Sequence, residues 1–276
     1  MRLFDFTQAE HFCKALPAYT PGVGQSLPGL YGNANAHLLR EGTVEFDVHR
    51  VSILNNVERW ILYGASQYRR ALDMFAPSNA AWAHVTLYYA SFYAANAILG
   101  MFGVWIHRYH WADVESGIAP HQVISLHKRA NGPPSSCTGS HQKFWDLYYE
   151  ACASFGPWAP PELIEAITPV NNNRLWQTAA RNEVNYDMMF AFKASLLLNS
   201  TSNPKRLEDY GGALGQQREV TESTLKLAVF FANKFGVSSF PFEGLFSGPR
   251  HRALRALVTK AAPSLVTQSV LQDLFQ

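Results

Sequence analysis

The residues best suited to chemistry lie together in the segment Arg181-Asn182-Glu183-Val184-Asn185-Tyr186-Asp187. This segment combines a guanidinium, two amides and a phenol within an otherwise apolar stretch. A guanidinium fork matches the oxygens of a phosphate and stabilises the charge that develops when a phosphodiester is cleaved. Arg181, with Asn182 or Asn185 to orient the ligand, is therefore a candidate phosphate-binding site.

A second interpretation of the same segment is a polar cluster in which Arg181 pairs with Glu183 or Asp187. In a straight helix Arg181 and Asn185 lie about 40° apart, whereas Tyr186 lies about 140° from Arg181. We expect Arg181 and Tyr186 to converge only if the helix bends or a second chain contributes.

Two other clusters carry chemically useful side chains. His107, His110, Asp113 and Glu115 have the composition of a metal site, but no third imidazole is close in sequence, so no metal site is predicted. Near the end of the chain, Arg250, Arg252 and Arg255 alternate with His251 and precede Lys260. They fit either a phosphate-binding strip or a solvated helix face.

The composition excludes several classes of protein. With 23 basic and 21 acidic residues the net charge is only +2, so polyanion binding requires a local patch. Three scattered cysteines predict a reduced, cytoplasmic protein without a disulfide framework, and the first residues lack the apolar core of a secretion signal. We find no nucleotide-binding or hydrolase motif and predict no cofactor.

The elements that must position Arg181 are mostly helices. Apolar residues at spacings of three and four predict helices at about 52–75, 80–99, 141–154, 174–198 and 218–235. The segment from Met74 to His107 lacks charged residues, but its internal polar residues and mid-span tyrosines indicate buried core and not a membrane span. Alternation of Val44, Phe46 and Val48 with acidic residues predicts a short strand.

These elements predict a mainly α protein in three parts. Residues 1–51 form a loop-rich arm containing the short strand, apart from a short helix over Gln8 to Leu16. Residues 52–235 form a helical bundle, with an insertion at about 104–138 in which a short β hairpin fits. Residues 236–276 add a C-terminal helix.

The late Arg-Asn-x-x-Asn-Tyr-Asp segment, following an early Tyr-Tyr-Ala-Ser-Phe-Tyr-Ala-Ala-Asn-Ala helix, resembles the HEPN domain over roughly residues 52–235. The resemblance implies an up-and-down bundle that forms a homodimer or joins a larger protein. It further implies a role in prokaryotic antiviral defence or toxin-antitoxin systems, where many members are metal-independent endoribonucleases that bind and cleave RNA.

The resemblance assigns Arg181, Asn182 and Tyr186 to the catalytic position, and Arg181 with Asn185 to RNA contact. Tyr186 stands where the family's nearest histidine would fall, and a tyrosine, with a pKa of about 10 in water, is a poor base for a ribose hydroxyl. His141, at the start of another predicted helix, is the alternative base. The sequence therefore leaves open an RNA-cleaving protein, an RNA-binding protein, and an inactive interaction module that assembles a complex.

Overall fold

A computed structural model describes residues 4–14, 38–74, 79–107, 110–116, 122–128, 140–169, 173–186 and 213–236. The protein is mainly α, as predicted. The elements in chain order are α1 (Phe6–Lys14), β1 (Leu38–Arg40), α2 (Val44–Asp73), α3 (Ala80–Met101), β2 (Trp105–His107), β3 (His110–Ser116), β4 (Gln122–Lys128), α4 (Ser140–Cys152), α5 (Pro161–Ile167), α6 (Trp176–Tyr186) and α7 (Ala213–Lys234).

The strand predicted at Val44 to Val48 is wrong, because these residues form the first turns of α2. Thr43 caps this helix, and its hydroxyl accepts a hydrogen bond from the backbone N–H of Phe46 at 3.3 Å. Phe46 is fully buried while Val44 is 63 % exposed, so the residues follow a helical and not an alternating pattern of burial. As a result α2 crosses the predicted boundary at residue 51.

Helix α3 is the centre of the fold and packs against α1, α2, α4, α6 and α7. Small residues allow the close approach. A methyl group added to Gly64 of α2 would lie 3.2 Å from the carbonyl oxygen of Ala90 in α3 and 3.0 Å from Leu225 in α7. One added to Gly100 of α3 would lie 2.7 Å from Val57 of α2. The backbones of α2 and α3 therefore approach closely at Gly64, where the Leu225 side chain of α7 also packs.

The end of α3 is fixed by Gly103, which has a φ of +73°. Its N–H donates to the carbonyl of Gly100 at 2.9 Å, and the N–H of Val104 donates to Leu99 at 2.9 Å. This pair of bonds is a Schellman motif, which suits glycine because the left-handed backbone costs it no steric penalty. The chain then turns directly into β2.

The predicted insertion forms an antiparallel sheet, which confirms the strand pairing expected there. The strand order is β1-β4-β3-β2, so the short β1 from the N-terminal part of the chain completes the sheet. His107 of β2 and His110 of β3 are register partners, and Asp113 and Glu115 lie along β3. The described residues contain no group of three or more His, Cys, Asp or Glu that could hold a metal.

Several ionisable groups are buried. Burial lowers the pKa of His49 to about 3 and that of His84 to about 4. Cys13 and Cys152 are buried free thiols, and burial raises the pKa of Cys152 to about 12. These side chains remain neutral near pH 7 and belong to the core.

Within the described residues, no helix combines the length and apolar content needed to cross a bilayer. Most side chains of α3, which lies within the uncharged segment from Met74 to His107, are buried, as predicted. The second half of the predicted 174–198 helix and the C-terminal helix lie outside the described residues. Arg250, Arg252 and Arg255 lie there too, so their predicted roles stay predictions.

Candidate functional site

Helices α3, α4 and α6 bring Arg181 to a surface lined by aromatic side chains. Tyr88 and Tyr89 come from α3, His141 and Trp145 from α4, and Arg181 from α6. Tyr88 and Trp145 are fully buried, whereas Tyr89, His141 and Arg181 are partly exposed. The site thus has a buried aromatic floor with polar groups at its rim.

Arg181 is held in place by neutral partners. One terminal nitrogen, Nη2, donates to the hydroxyl of Tyr89 at 3.1 Å, and Nη1 donates to Oδ1 of Asn182 at 3.0 Å. The guanidinium carbon lies 5.9 Å from the ring centroids of both Tyr88 and Tyr89, within the range of cation–π attraction. These contacts orient the guanidinium without neutralising it.

No described carboxylate pairs with Arg181, and Glu183, one of the two acids proposed as its partner, is exposed and makes no ion pair with it. Asp187 lies outside the described residues. Burial acts to lower the pKa of Arg181, but the hydrogen bond to Tyr89 and the neighbouring phenols outweigh burial, so the pKa is raised. Arg181 therefore carries a full positive charge at a partly exposed position.

His141 shares Tyr88 with this site. Its Nδ1 lies 2.8 Å from the Tyr88 hydroxyl, which also accepts the indole N–H of Trp145 at 3.0 Å. Burial, helped by the positive charge of Arg181, lowers the pKa of His141 below 6.5. The imidazole is therefore mainly neutral at pH 7, and Arg181 is close enough to influence it.

The hydrogen bond between Tyr88 and His141 fits either neutral tautomer of the imidazole. The indole of Trp145 can only donate, so the Tyr88 oxygen accepts from it. That oxygen keeps a second lone pair and its own proton, so it can accept from an Nδ1–H of His141 or donate to a bare Nδ1. His141 is therefore either a base or a hydrogen-bond donor toward a ligand, according to which ring nitrogen carries the proton.

A buried amide network fixes α6 beneath the site. Gln177, one turn before Arg181, donates to the hydroxyl of Tyr149 at 2.8 Å and accepts from Gln217 of α7 at 3.0 Å. The same Tyr149 hydroxyl accepts the indole N–H of Trp176 at 3.1 Å. Because buried polar groups are costly to leave unpaired, this network restricts the position of α6 and hence of Arg181.

The other predicted site residues of α6 differ in their placement. Asn182 accepts a hydrogen bond from Arg181, whereas Asn185 is exposed on the next turn of the helix. Tyr186 is 77 % exposed and near enough to Arg181 to contribute to the rise in its pKa. The structure therefore brings Arg181, Asn182 and His141 into one surface, with Tyr186 at its edge.

Sequence reasoning missed Tyr88 and Tyr89 as members of the site. Their phenols lie in the Tyr-Tyr-Ala-Ser-Phe-Tyr segment that was used only to recognise the early helix. A pair of adjacent tyrosines in an uncharged helix was the signal that could have identified them as site residues, since the hydroxyl of a buried phenol needs a polar partner.

Comparison with known proteins gave no relative, because the chain matches no family model, no curated protein and no solved structure. The HEPN resemblance stays a prediction that depends on the residues quoted for it.

Proposed function

We propose that this protein binds RNA through Arg181 and acts as a HEPN-like cytoplasmic subunit of a prokaryotic antiviral-defence or toxin-antitoxin system. The observation that carries the proposal is an oriented guanidinium at a partly exposed position, held by Tyr89 and Asn182 and not paired with a described carboxylate. Such a group attracts a phosphate, since no carboxylate among the described residues has to be displaced first.

The geometry leaves donors for that phosphate. Each terminal nitrogen of Arg181 has two hydrogens and uses one in a hydrogen bond within the protein. Asn182 accepts from Arg181 through Oδ1, which leaves its amide N–H groups to donate. These donors are available to one phosphodiester.

The residue types favour binding over cleavage. Attack by a ribose 2′-hydroxyl needs a base, and Tyr186 is a phenol in place of the family's histidine. We therefore propose RNA binding as the main activity. Metal-independent cleavage, which would leave a 2′,3′-cyclic phosphate, is an outcome that the experiment below detects.

The test compares Arg181→Ala with Arg40→Ala, which removes the same charge from an exposed position on the sheet. Binding of a fluorescent single-stranded RNA is measured by anisotropy at several salt concentrations. Arg181→Ala should weaken binding about 10- to 100-fold, because a charged hydrogen bond contributes about 1.5–3 kcal/mol. It should also reduce the slope of log K against log salt by about 0.7 for each lost phosphate contact.

Equal affinity and equal salt dependence in the wild type and Arg181→Ala would overturn the proposal. Gel analysis of the same RNA, with and without EDTA, decides whether it is cleaved. A cyclic phosphate end that appears in EDTA and disappears in His141→Ala would assign cleavage to this site.

A second candidate function is assembly of a larger complex without RNA contact. It is favoured by Trp82 and Tyr63, two aromatic side chains that are 64 % and 57 % exposed. Light scattering after size-exclusion chromatography tests it. A stable oligomer or complex with no affinity for RNA would replace the first proposal by this one.

A further inference from the structure

Three tyrosines extend the surface beyond Arg181. Tyr89, whose hydroxyl accepts from Arg181 at 3.1 Å, lies one turn from Tyr93 on α3, about 6 Å along the helix axis. The ring of Tyr93 lies 5.8 Å from that of Tyr63 on α2, with 35° between the ring planes. We call Tyr63, Tyr93 and Tyr89 the tyrosine strip.

The tyrosine strip is at the surface. Tyr63 is 57 % exposed, and Tyr93 and Tyr89 are partly exposed. Burial raises the pKa of Tyr93, with smaller contributions from Tyr89 and Tyr63, so this phenol stays neutral. The contributions of Tyr89 and Tyr63 also indicate that the three side chains are close enough to interact. Each residue offers a ring for stacking and a hydroxyl for hydrogen bonding.

The charge around the strip is suited to an anion. Helix α3, which contributes two of the three tyrosines, contains no Asp or Glu over Ala80–Met101. Arg181 donates to the hydroxyl of Tyr89, so its guanidinium lies at one end of the strip. A ligand with aromatic groups joined by phosphates would meet rings along the strip and a cation at its end.

We propose that the tyrosine strip stacks the unpaired bases of a single-stranded RNA whose backbone phosphate is held at Arg181. Base–aromatic stacking tolerates any sequence because every base has a π face, and an exposed tyrosine loses little conformational entropy on contact. A duplex hides its base faces, so the strip selects single strands. This inference rests on the proposed RNA binding and names the form of RNA that is bound.

The experiment uses Tyr63→Ala, with Tyr63→Phe as the matched control that keeps the ring. Three ligands are compared by anisotropy: a short single-stranded RNA, a ribose-phosphate chain of the same length without bases, and an RNA duplex. Tyr63→Ala should weaken binding of the single-stranded RNA about 5- to 150-fold. It should leave the abasic chain and the duplex unchanged, and Tyr63→Phe should bind like the wild type.

The outcomes separate the two proposals. If Arg181→Ala weakens binding of the single-stranded RNA and Tyr63→Ala does not, the tyrosine strip is not a stacking site while RNA binding at Arg181 stands. An equal loss for the abasic chain in Tyr63→Ala would also overturn stacking. If neither substitution changes affinity, both proposals fail. If Tyr63→Ala converts an oligomer into a monomer at unchanged RNA affinity, the strip contacts a second copy of the chain.

Discussion

The stability of this protein should fall steeply between pH 8 and pH 5 because of two buried histidines. His49 is fully buried and His84 is 2 % exposed, and no described group donates to or accepts from Nε2 of His84. Burial lowers the pKa of His49 to about 3 and that of His84 to about 4. Both imidazoles are therefore neutral in the folded protein throughout this range.

The sign and size of the effect follow from proton linkage. An imidazole in the unfolded chain titrates near 6.5, so the unfolded state binds more protons than the folded state as the pH falls, and the free energy of unfolding decreases. At pH 5 the loss is about 2 kcal/mol for each histidine, or about 4 kcal/mol together. Since the pKa values of both histidines in the folded protein lie below 5, the size of this loss depends mainly on the pKa of histidine in the unfolded chain.

Urea unfolding at a series of pH values tests this predicted loss of stability. The variant is His84→Gln, because glutamine stays uncharged at every pH. The decrease in unfolding free energy between pH 8 and pH 5 should be about 2 kcal/mol smaller in His84→Gln than in the wild type. Comparing the two pH profiles cancels titrations that both chains share. The same profile in both chains would show that His84 takes up its proton without unfolding and would refute the reasoning.

Three further results are expected. Gly100→Ala should lower the unfolding free energy by about 1 kcal/mol, because the crowding of the added methyl group against α2 outweighs the gain in helix propensity. Gly156→Ala is the control: its methyl group would have no atom within 4 Å, so it should have little effect in the same urea titration. Tyr149→Phe leaves the buried amide of Gln177 and the partly buried indole of Trp176 without their acceptor, and should cost about 1–3 kcal/mol by the same measurement. An unchanged midpoint would contradict the network. Cys13 and Cys152 should resist thiol reagents at pH 7 until the protein unfolds, as judged by mass spectrometry of the modified peptides, and labelling in the native state would contradict their burial.

Much of the helical framework could be predicted because long patterns leave few alternatives. An uncharged stretch after Pro77 and Asn79 predicted a helix at 80–99, and the structure has Ala80–Met101. The error at Val44 to Val48 came from a pattern too short to distinguish a strand from a helix, since residues two apart can also differ in burial on a helix. The N-cap at Thr43 was the signal that the alternation concealed.

The site was only partly predictable. The type and spacing of Arg181 and Asn182 identified the residues, because a guanidinium beside an amide matches a phosphate. Their convergence with Tyr89 and His141 depends on how α3, α4 and α6 pack, which local sequence does not determine.

The central position of α3 has a consequence for synthesis. Helix α7 covers one side of α3 but is synthesised more than a hundred residues after it. During translation the uncharged, aromatic α3 therefore stays uncovered on that side until α7 has been made. A polypeptide cut short before Ala213 would keep that side bare, with no α3 charge to prevent self-association. Truncated chains should therefore aggregate, and full-length chains should bind a chaperone while they are being synthesised.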